Sequence, residues 1–158
     1  MSPSSWRLSY GITEVEFRPD VVASVKRAFG IEIGKGYLYR VLVSFKRRKG
    51  WTEAFPMIYD TGAVVSLLPS RFFELLGIER FAPVKLTGIS PEIEVLARLT
   101  RATMKFIDMV GKESPEVEGW VAIAMRRDVP LIIGLKDLAD THQLTVDTKK
   151  KVFYLEFY

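Results

Sequence analysis

The residue best placed for chemistry is Asp60, which follows the apolar run Met57-Ile58-Tyr59 and precedes Thr61-Gly62-Ala63. A charged side chain is rarely left beside such a run without partners. Gly62 can turn sharply and bring backbone N–H groups toward the carboxylate. The Thr61 hydroxyl can then turn away from a substrate and tie the loop to a neighbouring chain or lobe. The result is a carboxylate held rigidly at the mouth of a cleft, where an ordinary turn would leave it free in solvent. Other chemistry has less to stand on. Ser66 is a nucleophile in principle, but the only histidine is His142, in the polar stretch Asp140-Thr141-His142-Gln143, so a Ser–His pair is not expected. Glu113, Glu116 and Glu118 read as a solvated turn, not a metal site. With no cysteine, thiolate nucleophiles, thiolate metal sites and disulfides are excluded. A single histidine excludes a histidine-clustered zinc site within one chain. No metal or cofactor is expected.

The elements that must position Asp60 follow from periodicity. Residues 6–17 read as extended, with Gly11 as a break. Pro19-Asp20 opens a short helix, Val21–Phe29, that stops at Gly30, with proline near the first turn and glycine past the last. Tyr37, Tyr39, Val41, Val43 and Phe45 alternate with more polar neighbours as a half-buried strand does. A turn at Arg47–Gly50 returns the chain as a second strand, Trp51–Tyr59, which ends at the aspartate. Ser70 can cap a helix that places Phe72, Leu75 and Leu76 on one face, with Gly77 ending it. Several short strands are expected from Val84 to Ala124, then a buried stub Leu131-Ile132-Ile133 ending at Gly134. A short helix Leu135–Asp140 and a closing hairpin, Leu144–Val146 with Val152–Tyr158, complete the chain. The class is mostly β with two or three short helices.

At 158 residues the chain can bury about 70% of its unfolded surface as one domain. Its longest apolar runs are far short of a membrane span. The N-terminal residues lack a basic-then-apolar leader, so a cytoplasmic protein is expected. The absence of asparagine and cysteine, with glutamine only at Gln143, matches the composition of heat-adapted proteins. Net charge is +4. The clusters Lys46–Lys49 and Lys149–Lys151 fall at expected hairpin tips, so the charge is read as solvated, and neither a nucleic acid nor a membrane is an expected partner. The aromatic tail, with Phe153, Tyr154, Phe157 and Tyr158, reads as core and interface and not as a base-stacking platform.

Taken in order, these features resemble the retropepsin-like aspartic proteases. The likeness is carried by Asp60-Thr61-Gly62-Ala63, by Ser66-Leu67-Leu68 after it, by a Gly88-Ile89 turn, and by Ile132-Ile133-Gly134 leading into a helix and a closing strand. It covers residues 37–158 and leaves 1–36 as an N-terminal extension of one strand and one short helix. The resemblance implies a closed, β-barrel-like retropepsin fold. It also implies a homodimer in which each chain supplies one catalytic aspartate and the paired carboxylates share a proton. Asp60, Thr61 and Gly62 would form the catalytic loop. Ala63, Gly88, Ile89 and Ile133 would contact a peptide or unfolded protein substrate, with Leu86–Pro91 as the flap. Pro91 and Glu92 are stiffer and more polar than the glycine-rich tip of the family. Where retroviral members carry an aspartate and an arginine that pair near the dimer interface, this chain has Val64 and Leu135, so an apolar contact is expected there. Two other classes compete: a retropepsin-like binding or assembly domain with little or no proteolysis, and a nucleic-acid binder, which only the positive charge suggests.

Overall fold

Wherever apolar and polar residues alternate, the chain is strand, and several strands find partners far away in sequence. The computed structural model describes residues 6–90, 93–136 and 138–158, with only the backbone of 88–90 and 93. In order the elements are β1 (Arg7–Glu16), α1 (Pro19–Phe29), β2 (Lys35–Phe45), β3 (Phe55–Tyr59), β4 (Ser66–Leu68), α2 (Phe72–Leu75), β5 (Ala82–Ser90), β6 (Ile93–Ile107), β7 (Val117–Ala124), β8 (Ile132–Ile133), β9 (His142–Asp147) and β10 (Val152–Phe157). The chain is mostly β, and no described helix is long and apolar enough to cross a membrane.

The ten strands form one sheet in the order β5-β6-β7-β4-β8-β3-β2-β1-β10-β9. A further pairing of β2 with β6, Leu42 opposite Ile107 through Phe45 opposite Met104, joins β6, β7, β4, β8, β3 and β2 into a ring. Inside it lies the main core, with Phe45, Phe72, Phe106, Met57, Leu68, Met104, Ile123 and Ile133 fully buried. The region from 84 to 124, expected as several short strands, is instead three long ones. Arg101, Thr103 and Lys105 interrupt the apolar pattern, but they alternate with Ala102, Met104 and Phe106. They occupy the outer face of β6 and leave the strand unbroken.

The N-terminal residues are not an appendage. β1 runs through Gly11 without a break and changes partner there: Arg7–Gly11 pair with β10, and Ile12–Glu16 pair with β2. Leu8, Tyr10 and Ile12 belong to the main core, and the expected boundary at residue 36 falls inside β2. β10, whose aromatic alternation would make an aggregation-prone edge if bare, is covered on both sides by β1 and β9. Phe153 stacks on Tyr10 with centroids 5.2 Å apart.

α1 begins with Pro19 in its first turn and ends at Gly30, whose φ of 71° is the left-handed conformation a helix end favours. None of its residues is buried. α2 lacks the Ser70 side-chain cap; the Ser70 carbonyl accepts from Phe73 N–H instead. The helix expected over Leu135–Asp140 is a tighter structure, with a 3-10 turn at Ala139–Thr141.

Candidate active site

Asp60 is the first residue after β3, and its loop is tied down at every step. Ile58 N–H donates to the Leu131 carbonyl (2.9 Å) and Asp60 N–H to the Ile133 carbonyl (3.0 Å), so the parallel pairing of β3 with β8 extends up to the aspartate. Ala63 N–H donates to the Asp60 carbonyl (3.2 Å) and closes the turn. Gly62 N–H donates to Asp60 Oδ1 (2.9 Å). A Cβ at Gly62 would stand 3.3 Å from Asp60 Oδ1, so a side chain there would crowd the carboxylate. Thr61 is exposed beside it, and its hydroxyl bonds to nothing among the described residues.

The second support comes from β8, which inserts between β3 and β4, two strands consecutive in the chain. It runs parallel to β3 and antiparallel to β4, with Leu67 opposite Ile132. Directly after it, Leu135 N–H donates to the Ala63 carbonyl (3.1 Å) and Lys136 N–H to the Val64 carbonyl (2.6 Å). The buried Ser66 Oγ accepts from Gly134 N–H (3.0 Å). A Cβ at Gly134 would lie 2.4 Å from the carbonyl carbon and oxygen of Val65, so only glycine allows the two segments to cross this closely. Five backbone and side-chain bonds thus hold residues 58–66 against 131–136.

Asp60, half-buried, lies on the wall of a cleft of about 660 Å³. Gly62, Ala63, Val64, Leu67, Leu86 and Ile132 share the wall, with Lys85 and Thr87 on the hairpin side. The floor continues into a second apolar cluster built on Leu67, Val95, Ala97, Ala122, Ala124 and Val129. The hairpin β5–β6 therefore borders the aspartate, as the flap expectation requires of Leu86. The backbones of Gly88 and Ile89 belong to β5; their side chains, and the tip at Pro91-Glu92, lie outside the described residues.

One expected substrate contact is corrected. Ile133 is fully buried in the main core, and its neighbour Ile132 lines the cleft. Successive side chains of a strand face opposite sides, so only one of the pair can point outward. Lys85 and Pro130, which also line the cleft, were not anticipated from sequence, whereas Thr87 belongs to the expected flap. Leu86 and Thr87 sit just before the glycine of the hairpin, and that position was the available signal. At the two departures from the retroviral pattern, Val64 is 72% exposed in the cleft while Leu135 packs against the main core. The backbones of both positions take part in the bonds already described.

His142 is also corrected. It is buried, not in a polar loop, and it packs among Tyr59, Phe106 and Phe157. The hydrogen-bond chain sets its tautomer. Thr141 Oγ1 donates to the Leu138 carbonyl (2.6 Å) and so must accept from His142 Nδ1–H (2.9 Å). Nε2 is then left to accept from the Tyr59 hydroxyl (2.7 Å). Burial holds His142 neutral, with its pKa down at about 4, and pushes the Tyr59 hydroxyl up to about 12. His142 is therefore engaged by the residue before Asp60, and Ser66 by Gly134. No Ser–His pair exists.

No protein-family model matches this chain, and a search of curated proteins finds no match either.

Proposed function

We propose that the protein is a homodimeric aspartic endopeptidase of retropepsin-like fold, with a dyad made of Asp60 from each chain. The observation that carries this reading is a single carboxylate, bonded to Gly62 N–H on a loop cross-tied to Ile133-Gly134, on the wall of a cleft bordered by a hairpin. Among the described residues Asp60 is the only acid lining that cleft. A second carboxylate must come from another copy, and a two-fold axis beside the loop supplies it. The exposed Thr61 hydroxyl is available to a partner's loop. Strand β8 inserted between β3 and β4, and the ring closed by β2 and β6, fit the barrel-like architecture the resemblance implies.

In this reading two like charges at close range share one proton. The ionised carboxylate takes a proton from water as its oxygen attacks the peptide carbonyl carbon. The protonated partner gives its proton to the carbonyl oxygen. Collapse of the resulting diol breaks the C–N bond, and the amine leaves with a proton returned from the dyad. The apolar wall of Val64, Val65, Leu67, Leu86 and Ile132 excludes water and receives the side chains that flank the bond.

The test is cleavage of unfolded protein by wild type and by Asp60→Asn. The wild type should show a bell-shaped rate with a mildly acidic optimum, and a rate that falls faster than linearly on dilution. Asp60→Asn should be inactive with unchanged melting. Full activity in a sedimenting monomer refutes the dyad. No cleavage by a well-folded dimer favours the reading of the same fold as a binding or assembly domain.

A further inference from the structure

We propose a second ligand site, for a doubly charged oxyanion of the phosphate type, on the face of the sheet opposite the Asp60 cleft. A cavity of about 560 Å³ is lined by Pro69, Ser70, Arg71, Phe73, Glu74, Arg98 and Arg127. It shares no lining residue with the cleft. Strand alternation puts it on the other side: Ala97 and Leu99 pack in the apolar cluster beneath the cleft, so Arg98 between them points the other way. Leu67 and Leu68 divide in the same manner, the first toward the cleft cluster and the second into the main core.

Three features make the cavity an anion site and not a patch of solvated arginines. First, none of the three guanidiniums is within salt-bridge distance of a carboxylate among the described residues, so Glu74 on the same wall is not engaged by any of them. The nearest acid in sequence to Arg127 is Asp128. Its two oxygens are both taken by Arg126 at 2.9 and 2.6 Å, so it does not neutralise Arg127.

Second, Arg98 is oriented by its surroundings. Its guanidinium lies 4.1 Å from the Phe73 ring centre and 5.2 Å from that of Phe81, and those two rings meet edge to face. Attraction to two ring faces holds the guanidinium in place, and its planar N–H fork matches an oxyanion. Third, the wall that carries Ser70 is fixed to the wall that carries Arg127, because Ser70 N–H donates to the carbonyl of Arg126 (2.9 Å).

Charge selects the ligand class. Three guanidiniums against the single carboxylate of Glu74 leave the cavity two positive charges in excess, which a dianion neutralises. The three forks and the Ser70 hydroxyl offer more donors than one carboxylate can accept, whereas a phosphate presents acceptor oxygens in several directions. The shared chemistry is a terminal phosphate, whether free or esterified.

Titration calorimetry of the full-length protein tests the site, with four probes: inorganic phosphate, phosphoserine, acetate and citrate. Saturable binding of inorganic phosphate and phosphoserine, with acetate silent, is expected. Phosphoserine tighter than phosphate indicates an esterified ligand, and the reverse a free one. Arg127→Gln and Arg71→Gln should each weaken binding about tenfold, the loss of one charge-assisted contact. Arg98→Lys, which keeps the charge but not the planar fork, should weaken it as well. Thermal melts establish that each variant is folded. Asp60→Asn should bind like wild type, so the result is independent of any peptidase activity. Absence of saturable binding by phosphate and phosphoserine overturns the proposal, as does binding unaltered in folded Arg71→Gln and Arg127→Gln. Citrate binding more tightly than either phosphate probe overturns the assignment to phosphate.

Discussion

Acidification from pH 7 to 5 should destabilise this protein through His142. The imidazole is neutral and buried beside Tyr59, Phe106 and Phe157, with its pKa lowered to about 4 by burial. In the unfolded chain it returns to its ordinary 6.5. A group whose folded pKa is depressed contributes stability that is present above the unfolded value and is lost as pH falls through the folded one. The window is therefore 6.5 down to about 4, where the unfolded chain binds the extra proton. Across the whole window the loss is about 3 kcal/mol, at about 1.4 kcal/mol for each pH unit of separation. From pH 7 to 5 it is about 2 kcal/mol, which for a chain of this size is about 4–8 °C in melting temperature. Glu14, Asp20 and Asp128 are held below their ordinary values of 4.5, 3.8 and 3.8 by Lys151, Arg18 and Arg126 respectively, so the stability they add is lost below pH 5 and not between 7 and 5.

The measurement is urea unfolding at half-unit steps of pH. The control is Tyr59→Phe/His142→Phe, which removes donor and acceptor together and so leaves neither orphaned. Its stability should be flat between pH 7 and 5. Because His142 is the only histidine, its titration is also directly readable by NMR. Equal slopes in wild type and double variant, or an imidazole titrating near 6.5 in the folded protein, would refute the reasoning. The outcome bears on function, since a carboxylate dyad works in the same acidic range.

Ser66→Ala should cost about 1–3 kcal/mol in urea unfolding, because Gly134 N–H is left buried without an acceptor. Gly134→Ala should cost at least as much, since the added methyl meets the Val65 backbone and not a side chain that can move aside. Removing the last six residues takes away Phe153, Leu155 and Phe157 from the core together with the partner of β1, and should abolish cooperative melting. Replacing Pro19–Phe29 by a short flexible loop should leave the melting temperature nearly unchanged, because α1 buries no residue.

Much of the local structure was legible in the residues themselves. Alternation over Tyr37–Phe45, Pro19 and Gly30 at the two ends of α1, and the basic tips at Arg47–Gly50 and Lys149–Lys151 all depend on neighbours a few positions apart. The Asp60 loop was legible for the same reason: the Gly62 N–H that meets the carboxylate is only two residues away.

Pairing over long separations decided what sequence could not. Gly11 reads as a break, yet β1 passes through it, since β10 holds the residues before and β2 those after. Ile132 and Ile133 are the same residue twice in sequence. The insertion of β8 between β3 and β4 turns one to the cleft and the other to the core. His142 lies among polar neighbours along the chain, and only the packing of β9 against aromatic residues from β3, β6 and β10 makes it a buried, neutral imidazole. Ring closure by β2 and β6 joins residues some sixty positions apart, Leu42 opposite Ile107. A single sequence carries no local signal for such a contact, because the free energy that selects it comes from burying both faces at once.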